Sequence, residues 1–132
     1  MTSETPIPTG RELEILEILW GHGEATVREV YEVMREENPI VQNTVQAFLR
    51  TMTEKKLVVY RKEGRSFVYR ALVQQKKTKK RLLKHMLDRV FEGSLESLVT
   101  SALQLKKPRR EEIRELRRML QEMEAKAAKE KS

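Results

Sequence analysis

The 132-residue chain has no cysteine, which excludes disulfides, thiolate chemistry and sulfur-ligated metals. Aromatic residues make up only 5% of it, so stacking of single-stranded bases on ring platforms is not expected as a main binding mode. The two histidines, His22 and His85, stand far apart with no clustered acidic motif beside them, and no metal site is expected. The chain has no Gly-rich phosphate loop, no nucleophile elbow and no paired-carboxylate motif on a plausible scaffold. The expectation is therefore a protein that is not an enzyme and carries no cofactor. No apolar run reaches the roughly 18 residues of a membrane span. The opening MTSETPIPTG resembles neither a signal nor a transit peptide, so a cytoplasmic location with no membrane partner is expected.

What is present is charge, 36% of residues, with a net +7 that suits a polyanionic partner. Its distribution is uneven. Residues 1–37 hold three Arg against nine Glu, whereas residues 38–73 hold seven Lys or Arg against Glu54 and Glu63. Residues 74–132 hold 17 basic and nine acidic side chains, opening with the run KKTKKR at 76–81, which fits a phosphate contact and a solvated helix face equally well.

Thr9 with Glu12 forms a capping-box signature, and Leu13, Ile15, Leu16, Leu19 and Trp20 follow at helical spacing up to Gly21 and Gly23. Trp20 is assigned to the core. Thr26 with Glu29 repeats the capping signature and opens a second helix with Val27, Val30, Tyr31 and Met34 on one stripe; Asn38-Pro39 is expected to end it. A third helix, capped at Asn43 or Gln42, carries Val45, Phe48, Leu49 and Met52 at the i, i+3, i+4, i+7 positions. The period then switches from helical to alternating in LVVYRK, a turn at Glu63-Gly64, and SFVYRAL, the pattern of a hairpin. Three helices followed by a hairpin is the winged helix order, so the fold class expected is mainly α with a small β wing. Residues 1–73 form the winged helix-turn-helix domain and 74–132 a helical dimerisation domain.

In that second part, Leu82, Leu83, Met86, Leu87, Val90 and Phe91 form one face before Gly93, and Ser94 opens a short helix with Leu95, Leu98, Val99 and Ala102. Pro108 suits a first helical position, and Ile113, Leu116, Leu120 and Met123 recur as in a coiled-coil seam. So short a tail cannot bury these stripes alone, which implies a second copy; Leu83, Met86, Leu87, Val90, Leu98, Ile113, Leu116 and Leu120 are the expected dimerisation residues. The last residues, AKAAKEKS, are expected to fray.

If the third helix buries its apolar stripe, Asn43, Thr44, Gln46, Ala47 and Arg50 face outward. Asn and Gln can pair with the edge of adenine, Arg with guanine, and Ala or a Thr methyl can sit against the thymine methyl. Polar residues on the outside of a helix are ordinary; it is the place in a helix-turn-helix that points to base reading. Arg61, Lys62 and Arg65 around the hairpin turn, and Arg70 on the return strand, are placed to grip phosphates. Tyr60, Phe67 and Tyr69 are assigned to packing and wing stiffening. The rival class is a winged helix used for protein-protein contact, from which salt-sensitive binding to a palindrome would separate it.

With LEILEILWGHGEATVREVYEVM, NTVQAFLRTMTEKKLVVYRKEGRSFVYRAL and, more loosely, EEIRELRRML, the chain resembles the penicillinase repressor family, which includes the methicillin-resistance repressors and copper-transport operon repressors. The resemblance spans about residues 8–123. It implies a transcriptional repressor that binds double-stranded, palindromic operator DNA as a homodimer, with two amino-terminal winged helices on adjacent half-sites and interlocked carboxy-terminal helices. It further implies release by a regulatory protease cutting an Asn-Phe bond in the dimerisation domain. Counting back from Ile113, the matching bond here is Ser101-Ala102, so the family's cleavage pair is absent. Copper-responsive members carry a cysteine cluster that this chain lacks, which excludes a thiolate copper switch.

Overall fold

The computed structural model describes residues 6–130 and divides the chain into two compact units, Met1–His85 and Met86–Ser132. In the first unit, helix α1 (Gly10–His22) leads through a two-residue strand β1 (Ala25–Thr26) into α2 (Val27–Met34) and α3 (Gln42–Glu54), followed by the hairpin β2 (Val58–Glu63) and β3 (Ser66–Ala71). Helix α4 (Gln75–Arg89) begins in the first unit and ends in the second, which also holds α5 (Leu95–Leu105) and α6 (Arg110–Glu130). This is a winged helix-turn-helix followed by helices.

Each element follows from local chemistry. At the start of α1, the Thr9 backbone N–H donates to Glu12 Oε1 at 2.9 Å, and at its end Gly23 takes a positive φ of 84°. The capping box at Thr26 is complete, with Thr26 N–H donating to Glu29 Oε1 and Glu29 N–H to Thr26 Oγ1. α2 ends at Met34, four residues before the expected stop. Asn38 folds back so that its backbone N–H and its Nδ2 both donate to the Met34 carbonyl, capping the helix from beyond its end. The cap of α3 is Val41, not Asn43 or Gln42; both polar residues lie within the first turn, which has no side-chain cap.

The sheet has the order β1-β3-β2 and is antiparallel throughout. Glu63 pairs with Ser66, so the turn's central residues are Gly64 and Arg65, one position later than expected. Gly64 takes a φ of 62°, which a two-residue hairpin loop requires of its first central residue when the second stays at negative φ. β1 was invisible to periodicity because it is two residues long and shares Thr26 with the capping box.

The core joins Ile15, Leu16 and Leu19 of α1, Val30 and Met34 of α2, and Val45, Leu49 and Met52 of α3 with Ala25, Leu57, Val58 and Tyr69 of the sheet side. Trp20 packs against this core, and its Nε1 donates to the Val73 carbonyl at 3.0 Å, tying α1 to the chain leaving the wing. Each fully buried aliphatic side chain contributes about 1.5–3 kcal/mol, so this cluster dominates the unit's stability.

The second unit differs. No residue of α5 or α6 is buried. Ser94 caps α5 by accepting the Ser97 N–H. α6 starts at Arg110, so Pro108 stands two residues ahead of it and not in its first turn; the Arg109 carbonyl accepts the Ile113 N–H instead. α6 continues to Glu130, so residues 125–130 are helical where fraying was expected, as a run of Ala, Lys and Glu without Gly or Pro favours. Residues 131–132 lie outside the described residues.

Candidate nucleic-acid interface

α3 turns Val45, Leu49 and Met52 into the core with Phe48 half-buried, and this fixes its opposite face. Asn43, Thr44, Gln46, Ala47 and Arg50 are all exposed along that face. They form one row of donors, acceptors and small apolar groups on the second helix of the helix-turn-helix.

α3 is held from behind by an ion pair that the sequence did not reveal. Glu12, 2% exposed, accepts Lys55 Nζ at 2.8 Å with the oxygen that Thr9 does not use. Lys55 closes the carboxyl end of α3, so the pair fastens that end to the start of α1. Burial pushes the Glu12 carboxyl up, but the Lys55 hydrogen bond, the Thr9 N–H and the Lys55 charge together hold it below the ordinary value.

The wing has two chemically distinct faces. Because Tyr60 pairs with Tyr69 and Lys62 with Phe67, these four side chains share a face with the buried Val58 and Ala25. Tyr60 stacks edge-on to Phe67 with ring centroids 5.0 Å apart and leans on Tyr69 at 5.5 Å, a ladder running from the core toward the tip. Burial, then the neighbouring Tyr60, push the Tyr69 phenol up while the charge of Arg50 pulls it down. Tyr60 and Phe67 remain about half exposed. The opposite face carries Arg61, Glu63, Ser66, Val68 and Arg70.

Of the three cations expected at the turn, Lys62 lies on the α3 side, Arg65 at the tip, and Arg61 on the opposite face. Arg61 Nη2 donates to Glu24 Oε1 at 2.7 Å and Nη1 to Glu63 Oε2 at 2.5 Å. Glu24 and Glu63 hold its guanidinium above the ordinary value. Among the described residues no ion pair engages Arg50, Lys62 or Arg65. In the basic run, Lys76, Lys77, Lys79 and Lys80 are exposed around the buried Thr78, whose hydroxyl donates to the Gln74 carbonyl.

In the second unit, a groove of about 530 Å³ between α5 and α6 gathers Ile113, Leu116 and Leu120 with Val99, Leu103 and Met123. Leu98 is half-buried but does not line it. On α4, Leu83, Met86 and Val90 are exposed and Leu87 is half-buried. Ser101-Ala102 lies inside α5. Among the described residues, no helix is long and apolar enough to cross a membrane and no group of three or more acidic or histidine side chains is arranged to hold a metal.

Comparison with known proteins gives one answer. A family profile described as Penicillinase repressor matches residues 8–122. The chain is 29% identical over 111 residues to the penicillinase repressor of Bacillus licheniformis, covering 84% of this chain and 87% of that protein. It is 23% identical over 120 residues to the methicillin resistance regulatory protein MecI of Mammaliicoccus sciuri, covering 91% and 98%. Among solved structures it resembles the DNA-binding domain of the repressor BlaI, with a TM-score of 0.51, 26% identity, and coverage of 56% of this chain and 90% of that one.

Proposed function

The chain belongs to the penicillinase repressor family, and from that membership we propose that it is a transcriptional repressor binding palindromic operator DNA as a homodimer. The observation that carries this reading is the exposed row Asn43, Thr44, Gln46, Ala47 and Arg50, held rigidly outward by the core behind it, on a fold that resembles a repressor's DNA-binding domain. These side chains meet base edges in the major groove, while Lys62 and Arg65 of the wing meet phosphates. The first turn of α3, with no side-chain cap, adds backbone N–H groups suited to phosphate oxygens.

Residues 1–73 act as the DNA-binding part and 74–132 as the dimerisation part. Two helices that bury no residue cannot hold their own arrangement, since helices in proteins are stabilised chiefly by packing of an apolar face. A second copy covers Ile113, Leu116 and Leu120, together with Leu83, Met86, Leu87, Val90 and Leu98. Linking two half-site contacts raises apparent affinity by roughly 10²- to 10⁴-fold. Loosening the tail, by proteolysis or otherwise, therefore releases DNA without any change in α3. A protease acting at Ser101-Ala102 must first unwind α5, because the bond is locked in helical geometry.

The test is titration of the purified protein against a fluorescent fragment carrying the inverted repeat from its own upstream region, across a salt series with scrambled competitor. Preferential binding with a steep salt slope is expected. Equal binding to the scrambled fragment, with dimers confirmed by sedimentation, would overturn the reading.

A further inference from the structure

Arg61 and Lys62 are adjacent, both cationic and both exposed, yet the pleat puts them on opposite faces of the wing. The Arg61 side chain lies on the outer face over its cross-strand partner Val68, which in turn pairs with Thr26 of β1. Its guanidinium reaches Glu24, immediately before β1, across the intervening strand β3. It also holds Glu63 at the end of β2. One side chain thus straps all three strands, and it does so where help is most needed: β1 has only two ladder pairs, Ala25 with Tyr69 and Thr26 with Val68.

While Arg70 stands opposite Val59 at the end of the hairpin away from the turn, around Arg61 the same face is acidic. Glu24, Glu29 and Glu63 surround a shallow hollow of about 370 Å³ there. For Arg61 to reach a phosphate it would have to bring the incoming negative charge beside two carboxylates or release them. Lys62, on the α3 side, has no such partner among the described residues to surrender.

We propose that Arg61 is a positioning residue that fixes the pitch of the wing through Glu24 and Glu63, and that the wing meets DNA through its tip and its opposite face, where Arg65 and Lys62 stand. The proposal rests on the operator-binding reading and names which wing face serves it. Strap and phosphate contact make opposite predictions for Glu24. If Arg61 is a strap, Glu24→Gln harms binding as Arg61→Ala does; if Arg61 grips phosphate, Glu24→Gln frees it and strengthens binding.

The experiment compares the parent with Arg61→Ala, Glu24→Gln and the charge swap Glu24→Arg/Arg61→Glu in salt-series binding to the inverted repeat, with amide exchange of the hairpin measured in the free protein. Both single variants should weaken binding roughly two- to five-fold, the scale of an exposed ion pair. Their salt slopes should equal the parent's, their hairpin amides should exchange faster, and the swap, which remakes the pair between positions 24 and 61 but sets a glutamate beside Glu63, should restore both readouts in part. A salt slope reduced by about one in Arg61→Ala, with tighter binding in Glu24→Gln, would overturn the proposal, as would unchanged binding and exchange in both. If the parent itself shows no preference for the repeat, the operator reading fails, and the exchange measurement still decides the strap.

Discussion

Removing Glu12 should destabilise the first unit more than any substitution on its surface, because both carboxylate oxygens are engaged and the group is almost wholly out of water. Glu12→Ala deletes the hydrogen bond that caps the Thr9 N–H, at a cost of about 1 kcal/mol. It also breaks the pair with Lys55. That side chain is 31% exposed, so water takes over part of its solvation, and the loss stays well under the roughly 3–5 kcal/mol of a fully buried pair. A total of about 2–3 kcal/mol follows, which for a domain of this size lowers the melting temperature by roughly 8–24 °C. Glu12→Gln keeps the shape and an acceptor for Thr9 and should cost about 1 kcal/mol. The charge also gives the difference a pH signature. The folded-state carboxyl titrates below the ordinary value of 4.5, so its stabilisation is complete above that value and is lost as the pH falls through the folded one. The gap between parent and Glu12→Gln should therefore be full at neutral pH and shrink progressively in acid. Urea unfolding followed by far-ultraviolet circular dichroism at neutral pH and at about pH 3.5 tests this. An Ala variant with the parent's midpoint, or a Gln gap of equal size at both pH values, would refute the reasoning.

Lys56 sits at φ 64° just past α3, where the Leu57 N–H donates to the Met52 carbonyl at 2.9 Å. Lys56→Gly relieves that left-handed residue and should raise stability by about 0.5–1 kcal/mol, read as a higher urea midpoint at unchanged slope. Leu116→Glu or Leu120→Glu places a charge on the α5–α6 groove side and should yield monomers in sedimentation; dimers of parental affinity would count against that seam. Arg50→Ala should cost about 1–3 kcal/mol of operator binding and relax preference at one base pair, whereas Lys62→Ala should weaken all sequences alike and flatten the salt slope by about one. An unaltered base preference in the first, or an unaltered slope in the second, would remove that residue from the interface.

Features encoded within three or four residues were legible in the sequence. The capping pairs Thr9–Glu12 and Thr26–Glu29, the apolar stripes of the first three helices and the alternation on either side of Gly64 each depend on close neighbours, and each appears in the structure. Contacts between distant residues were not. Lys55 lies 43 positions from Glu12, Val73 lies 53 from Trp20, and Arg61 lies 37 from Glu24, and no periodicity marks such partners. β1 escaped for the same reason, since a two-residue strand exists only through the β3 residues it pairs with.

The wing shows how much a pattern can carry even when a detail is misplaced. A turn centred on Glu63-Gly64 would pair Lys62 with Arg65, whereas the actual turn on Gly64-Arg65 pairs Lys62 with Phe67. Moving the turn by one residue shifts every cross-strand partner by two, and a shift of two leaves each side chain on its own face. Tyr60 and Lys62 therefore stand opposite Arg61 and Glu63 under either register. The separation of the two cations was already fixed by alternation along β2, independent of the turn. What alternation could not supply was the partner. Only the fold brings Glu24 across β3 to Arg61, and on that carboxylate rests the proposal that this exposed arginine serves the wing's own framework and not a phosphate.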